Sequence, residues 1–320
     1  MNLYIVSGNG SRGIMTIVML SSYIAVVLFI LGVILKWRKW SSMPIHLRWE
    51  LYPVPHEAGK HHYGGSYMEE VDWWRKPRKT TFLGELKELL SEMLFIKRVF
   101  KYKRSLWWLT YPFHGGIYLI LVWFALLLIR GVVEAYTVID PAASYVLNMI
   151  DGPIKVLIQV FGTVGIIAAT FGCIGLLIRR ILDRNLREYS SGLDFFNLIF
   201  ILAVLITGIG VWVNDIKFEN AMEYMASLLS FSTIRPPDLS PLAQIHVILM
   251  GLLWIYIPFS KMSHFFGKFF TYHRVLWEDE PNLRGGDIER KVREVLKLKL
   301  PWAAPHMMTG KSWEENAIGG

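Results

Sequence analysis

Three histidines sit in apolar surroundings: His114 in "YPFHGGIYLI" (111–120), His246 in "PLAQIHVILM" (241–250) and His264 closing "YIPFSKMSH" (256–264). A neutral imidazole in hydrocarbon carries a free-energy cost unless something binds its ring nitrogens. Two imidazoles from facing helices at one depth are what a low-spin b-type haem takes as axial ligands. Iron then binds one ring nitrogen, and a backbone or side-chain acceptor takes the other. The alternative for each histidine is a packing or interhelical hydrogen-bonding role.

The elements that must carry these residues are legible from hydropathy. Of 320 residues, 53% are hydrophobic, too many for an ordinary soluble domain. Five nearly uncharged runs are long enough to cross a bilayer, at roughly 13–35, 107–129, 153–178, 193–213 and 242–263. The expected fold is an all-α integral membrane protein, a five-transmembrane-helix bundle. Lys and Arg number 15 in 36–104, four in 179–187 and ten in 261–311, whereas Arg12, Arg130, Lys155, Lys217 and Arg235 fall on the other side. Positive residues stay cytoplasmic, which places the N-terminus outside and the C-terminus inside. The net charge of +8 borders membrane spans and is read as an insertion and docking signal, not as nucleic-acid binding.

The organisation expected is a first transmembrane helix (1–36), a cytoplasmic loop (37–106), a four-helix core carrying haem (107–264) and a cytoplasmic tail (265–320). Within the loop, 82–102 has apolar residues at helical spacing and reads as an amphipathic helix at the membrane surface or against a partner. The stretches 131–152 and 214–241 read as outer polar connections. The tail, with Trp302, His306 and Trp313, reads as a docking segment. Cys173 is the single cysteine, so any iron–sulfur cluster belongs to a partner chain.

His246 and His264 are 18 residues apart, five turns of one helix, hence on one face and separated by about 27 Å. That puts one near each side of a hydrocarbon core about 30 Å thick. His114 enters on the second span from the cytoplasmic side, where His264 ends the fifth, so these two are expected to pair on one haem. Gly115 and Gly116 let a porphyrin or a helix approach closely. A tilted fifth span kinked at Pro258, or a second span that starts near Tyr111, reconciles the depths of the pair. His273 is a reserve ligand, and His46, His56, His61 and His62 read as loop residues.

Five spans, "FHGGI" opening the second and two histidines 18 apart on the fifth resemble the membrane cytochrome b (gamma, NarI-like) subunit of respiratory nitrate reductase. The "MPIHLRWELYPVPHE" loop and the "WAAPHM…GKSWEE" tail are similar to the DsrM-type branch, the membrane subunits of sulfur-metabolism redox complexes. The resemblance implies an inner haem on His114 and His264. It also implies an outer haem on His246 and a histidine ten residues beyond His114, where this chain has Phe124. The outer haem is then held by His246 with an unusual second ligand, held by His246 alone, or absent. Lys155 matches in place a lysine the family uses beside its quinol site; read from the residues alone it snorkels to the interface. Gln159, one turn further in, offers a second polar group, and Arg130 pairs with a haem propionate or marks the interface.

These readings combine into one expectation. The chain carries one or two b haems and passes electrons between menaquinone or menaquinol and a cytoplasmic iron–sulfur subunit resembling heterodisulfide reductase. Further membrane and extracytoplasmic redox subunits complete a complex of dissimilatory sulfur metabolism in the cytoplasmic membrane. The alternatives are a haem-free anchor that recruits the partner, or a transporter subunit with Lys155, Arg130 and Glu134 in a substrate path.

Overall fold

The computed structural model describes residues 3–42, 59–60, 69–77, 79, 81–137, 140, 143–231, 236–272 and 283–319. His46, His56, His61, His62 and His273 lie outside the described residues. In chain order the α-helices among the described residues are α1 (Leu3–Ser41), α2 (Phe82–Phe95), α3 (Lys97–Tyr102), α4 (Arg104–Thr137), α5 (Ala143–Leu182), α6 (Arg184–Glu188), α7 (Gly192–Asn214), α8 (Glu219–Leu229), α9 (Pro241–Tyr256), α10 (His264–Phe270), α11 (Asp287–Leu296) and α12 (Trp313–Ile318). Five segments are long and apolar enough to cross a membrane: Gly13–Ser41, Arg104–Thr137, Ser144–Leu182, Gly192–Asn214 and Pro241–Phe259. Less than a third of each apolar window is buried within the protein, so the remaining apolar surface belongs in lipid. The chain is a multi-pass membrane protein. It divides into two compact units, residues 1–30 with 91–257 and residues 31–90 with 258–320.

In the first unit α4 and α5 cross with their backbones in contact. A Cβ added at Gly116 would lie 2.2 Å from the Ala169 amide nitrogen, and one at Gly172 would lie 2.4 Å from that of Phe113. Such proximity admits only glycine, the small-residue packing that lipid-embedded helices use in place of a hydrophobic driving force. Gly116 of the "FHGG" run therefore serves helix approach. Around the crossing, Phe113, Ala169 and Cys173 bury against Leu198 and Leu205 of α7, and the Cys173 thiol donates to the Leu198 carbonyl at 3.4 Å.

Toward the other end of α4, Leu127, Ile154 and Ile158 pack with Phe218, Met222 and Met225 at and in α8. Tyr224 of α8 joins Met15, Val18 and Met19 of α1; its hydroxyl is 3.0 Å from that of Ser22, and the Tyr23 hydroxyl donates to the Leu228 carbonyl at 2.7 Å.

Three connections differ from the sequence expectation. The stretch 131–152 is helical at both ends, because Arg130 on α4 is paired with Asp151 on α5 and stabilises helix on either side of the turn. The stretch 214–241 contains α8, whose apolar face is buried while Glu219, Asn220 and Glu223 keep its composition polar. The segment 82–102 is two helices broken at Ile96, which takes φ 52°, with the Glu92 carboxylate accepting the Arg98 amide at 2.9 Å. The end of α2 is tied to α4: the Trp107 indole donates to the Phe95 carbonyl and the Tyr118 hydroxyl to the Met93 carbonyl, both at 2.7 Å.

The fifth span carries the main correction. Helix α9 ends at Tyr256 and is followed by 3-10 turns at Ile257–Phe259 and Lys261–Ser263 before His264 opens α10. Pro258 has no N–H to continue the ladder, and the Ser260 hydroxyl accepts the Met262 amide at 3.1 Å, starting a new turn. The 18 residues from His246 to His264 are thus not five turns of one helix.

In the second unit, Trp37 stacks on Phe269 at 5.5 Å and meets Phe270 edge-on at 4.6 Å, and Trp40 lies 5.0 Å from Phe266. The tail is ordered by single contacts. The Leu300 amide donates to the Lys311 carbonyl at 2.9 Å, Ser312 and Glu315 form a capping box on α12, and Asn316 is hydrogen-bonded to both the amide and the carbonyl of Met308.

Candidate functional site

His114 stands two residues after Pro112 inside α4, and its Nδ1 is 2.9 Å from the Thr110 carbonyl oxygen. A carbonyl only accepts, so Nδ1 carries the proton and Nε2 carries the lone pair. His264, exposed at the start of α10, repeats the arrangement with the Lys261 carbonyl at 2.9 Å. In α9, His246 has its Nδ1 3.0 Å from the Thr207 hydroxyl oxygen. That hydroxyl also lies 3.0 Å from the Ala203 and Val204 carbonyls. It can donate to one of them and accept from His246. In each of the three rings Nδ1 is thus held by an oxygen, a setting that metal-bound histidines also show. The donor set fits haem iron, which needs one or two imidazoles. Among the described residues no three or more His, Cys, Asp or Glu converge as for an ion held by side chains alone.

The surroundings of the histidines differ. Gly115, beside His114, has no atom within 4 Å of its Cβ position, so a planar group can lie against that backbone. His246 is flanked by Gly208, where a Cβ would come within 3.0 Å of its Cε1 and 3.1 Å of Ile166. Only a residue without a side chain allows the imidazole that close to α7. His114 and His246 belong to the first unit and His264 to the second.

The sequence-singled charges come together at the end of α4. Arg130 is buried, donates to the Asp151 carboxylate at 2.9 Å and pairs with Glu134. Lys155 reaches the other oxygen of Asp151 at 2.5 Å, with its side chain 40% exposed. Two acids and two bases thus neutralise one another, and both cations are in ion pairs. Gln159, one turn further along α5, is half-buried. Phe124 is an aromatic packing residue, edge-on to Trp254 at 5.2 Å.

Two residues that hydropathy reasoning passes over belong here. The indole nitrogens of Trp123 and Trp212 are buried without a hydrogen-bond partner among the described residues. Both rings pack on the cluster of Leu127, Ile154, Ile158, Phe218, Met222 and Met225. A tryptophan in an apolar run reads as packing or as an interfacial belt, so only the structure reveals that these donors are unsatisfied.

The model of the nitrate reductase gamma subunit family matches residues 99–277, more than half of the chain and both histidines of α4 and α9. The chain belongs to that family. The match also covers His264, the α4–α5 crossing and the Arg130 network, and it leaves the tail beyond residue 277 outside. A curated relative from Archaeoglobus fulgidus is 26% identical over 276 residues, covering 78% of this chain and 76% of that one. That protein is named an Hdr-like menaquinol oxidoreductase cytochrome b-like subunit, a name consistent with the DsrM-type branch. In this gamma-family chain the position ten residues beyond His114 is Phe124, so a second histidine does not face His246 from there.

Proposed function

We propose that the chain is the membrane cytochrome b subunit of an oxidoreductase complex, moving electrons between a menaquinone-type pool and a cytoplasmic iron–sulfur subunit resembling heterodisulfide reductase. The observation that carries this reading is the common setting of three histidines in apolar spans or at their edge in a gamma-family chain, each with Nδ1 held by an oxygen. His114 and His264 serve as the axial pair of one b haem, with Gly115 giving the porphyrin room. His246 holds a second haem alone or with a ligand other than histidine, since Phe124 cannot bind iron. When bound, haem supplies a one-electron centre in a low-dielectric site.

Quinol oxidation belongs at the Arg130 end of the bundle. A quinol must lose two electrons and two protons there. Lys155 and Gln159 can orient its oxygens, and the Asp151–Lys155–Arg130 group provides ionisable side chains on the way to water. By the positive-inside rule that end faces outside, so protons leave outward while electrons pass inward across the cytoplasmic membrane. The tail, with Trp302 45% and Met308 56% exposed on an ordered scaffold, offers the surface on which the iron–sulfur subunit docks. Other membrane and extracytoplasmic subunits complete the complex, in dissimilatory sulfur metabolism.

The test is a reduced-minus-oxidised spectrum of the purified chain with a pyridine haemochrome count of haem per chain. His114→Ala and His264→Ala should each remove the same bis-histidine signal. An unchanged low-spin spectrum in either variant rejects the pairing, and the absence of b-type bands from the wild type rejects the cytochrome reading.

A further inference from the structure

We infer that Trp123 and Trp212 are a pair of indole N–H donors that hold the oxygens of a neutral quinone head group, one helical turn from His246. The inference rests on the quinone reading above and names the groups that position the ring. Among the described residues these two nitrogens are the only buried side-chain polar atoms without a partner. A buried donor left unmade bears the full desolvation penalty of the group, and native proteins hold few of them. Two in one apolar cluster point to a ligand that both serve.

Their placement follows from the packing. Helices α5 and α7 run antiparallel, joined through the short α6. Ile166 and Gly208 are level, because a Cβ on Gly208 would come within 3.1 Å of Ile166 and 3.0 Å of His246. Four residues back along α5 is Gly162, and four residues on along α7 is Trp212. Both steps of about 6 Å lead the same way, toward the Arg130 end. A Cβ on Gly162 would lie 2.7 Å from Trp123 Cδ1, the carbon bonded to the indole nitrogen, and 2.6 Å from Phe218. Trp123 and Trp212 therefore stand at one level on α4 and α7, with Phe218 of the cluster against Gly162 and with His246 one turn away.

The chemistry of the site selects the ligand. An indole N–H donates and never accepts, so the ligand presents acceptor oxygens. A carboxylate such as a haem propionate would need a cation in this apolar cluster. Arg130 and Lys155, the cations on α4 and α5 toward this end, are already in ion pairs with Asp151 and Glu134, and Lys217, beside Phe218 in the chain, is exposed. The cluster is otherwise Leu127, Ile154, Ile158, Phe218 and methionines. A neutral, flat, largely apolar molecule with two carbonyl oxygens meets these terms, and a quinone is that molecule. Lys155, exposed toward the end of the helix, then orients the quinol oxygens at the entrance, and the indoles hold them once the ring is seated.

The experiment uses the full-length chain purified with its haem, and menadione as the probe. Each tryptophan is replaced in turn by β-(3-benzothienyl)alanine, which exchanges N–H for sulfur at nearly constant shape, and in parallel by phenylalanine. Menadione affinity is measured by equilibrium dialysis, and thermal stability is measured without ligand. Loss of one N–H should weaken menadione about five- to tenfold while the haem spectrum stays unchanged. The ligand-free benzothienyl variants should melt no lower than wild type, because the deleted donor has no partner among the described residues. Unchanged menadione affinity in both variants overturns the inference, as does a shift in the haem spectrum, which would assign the donors to the porphyrin. Menadiol reducing the haem at the wild-type rate in variants of unchanged affinity sinks the indole pair and leaves the electron-transfer reading standing. Failure of menadiol to reduce wild-type haem sinks that reading, while indole-dependent menadione binding still upholds the site.

Discussion

Removal of the Arg130 guanidinium should destabilise the chain more than removal of any other member of its network. Arg130 has its side chain 10% exposed, whereas Glu134, Asp151 and Lys155 are 25%, 28% and 40% exposed. In Arg130→Met, Glu134 loses its ion pair and Asp151 keeps only Lys155. Breaking a fully buried pair costs about 3–5 kcal/mol, and exposed pairs contribute about 0–1 kcal/mol. With partners a quarter exposed, the loss should be about 2–3 kcal/mol, scaling between those limits. Asp151→Asn leaves Arg130 paired with Glu134 and lets Lys155 reach water, so about 1–2 kcal/mol is expected. Lys155→Ala removes one half-exposed pair and should cost less than about 1 kcal/mol.

The assay is thermal unfolding of the purified chain in detergent, with the double variant Arg130→Met/Asp151→Asn closing a cycle. The loss for Arg130→Met corresponds to a fall on the order of 5 °C in Tm. The double variant should lose less than the sum of the single ones, because each removes the shared bond. If Lys155→Ala proves the most destabilising, or the double variant is strictly additive, the network is not the unit described. The low expected cost of Lys155→Ala also makes it the clean probe of quinol reactivity, since a slowed reaction would not stem from unfolding.

Thr207→Val deletes the oxygen that fixes the His246 tautomer, and should change the signal and midpoint potential of the haem assigned to His246 while leaving the His114 signal in place; redox titration of the two signals checks this. The Glu315 carboxyl lies below the usual glutamate range because the Ser312 backbone N–H and hydroxyl donate to it. Its contribution to the fold of α12 is therefore present above the ordinary glutamate value of about 4.3 and is lost as pH falls through the lower folded value. Amide exchange of residues 313–318, followed as pH is lowered from 6, should show protection that declines only below the ordinary glutamate value. Deletion of 300–320 should leave spans and haem intact but release the iron–sulfur subunit; co-purification at normal yield with the truncated chain would refute a docking role for the tail.

The spans were legible because length and apolarity alone decide them. Four of the five runs fall within helices that continue beyond them, as with 107–129 inside Arg104–Thr137, whereas the run 242–263 outlasts α9, which ends at Tyr256. What hydropathy missed depends on contacts between distant residues. Arg130 and Asp151 look like loop charges until they meet, and α8 looks like a polar linker because half of its surface is polar. Counting turns from His246 to His264 fails for a local reason: helical periodicity holds only while the backbone ladder is unbroken, and Pro258 breaks it. The histidines themselves could be picked out because a polar ring in an apolar run demands a partner. The tryptophans could not, because an indole is at home in such a run and its unpaired nitrogen shows only when its neighbours are known.

Position 124 illustrates how one substitution redistributes chemistry along a helix. The family resemblance calls for an imidazole there, facing His246. Phe124 instead meets Trp254 edge-on at 5.2 Å, and Trp254 lies 5.3 Å from Phe29. The three rings tie α4 to α9 and α9 to α1, and such contacts add about 0.5–1.5 kcal/mol each beyond the area they bury. The residue next to it, Trp123, turns to Gly162 and Phe218, and both rings pack on the cluster around Leu127 and Ile158. Of these adjacent aromatics, one also ties α4 to α9 and the other brings into the cluster a donor unpartnered among the described residues. An imidazole at 124 would give up the aromatic tie, and its ring would have to find a polar partner beside Trp254. On the reading proposed above, an outer site would be organised around His246 and the indoles, with packing at position 124 where the family resemblance calls for a second imidazole.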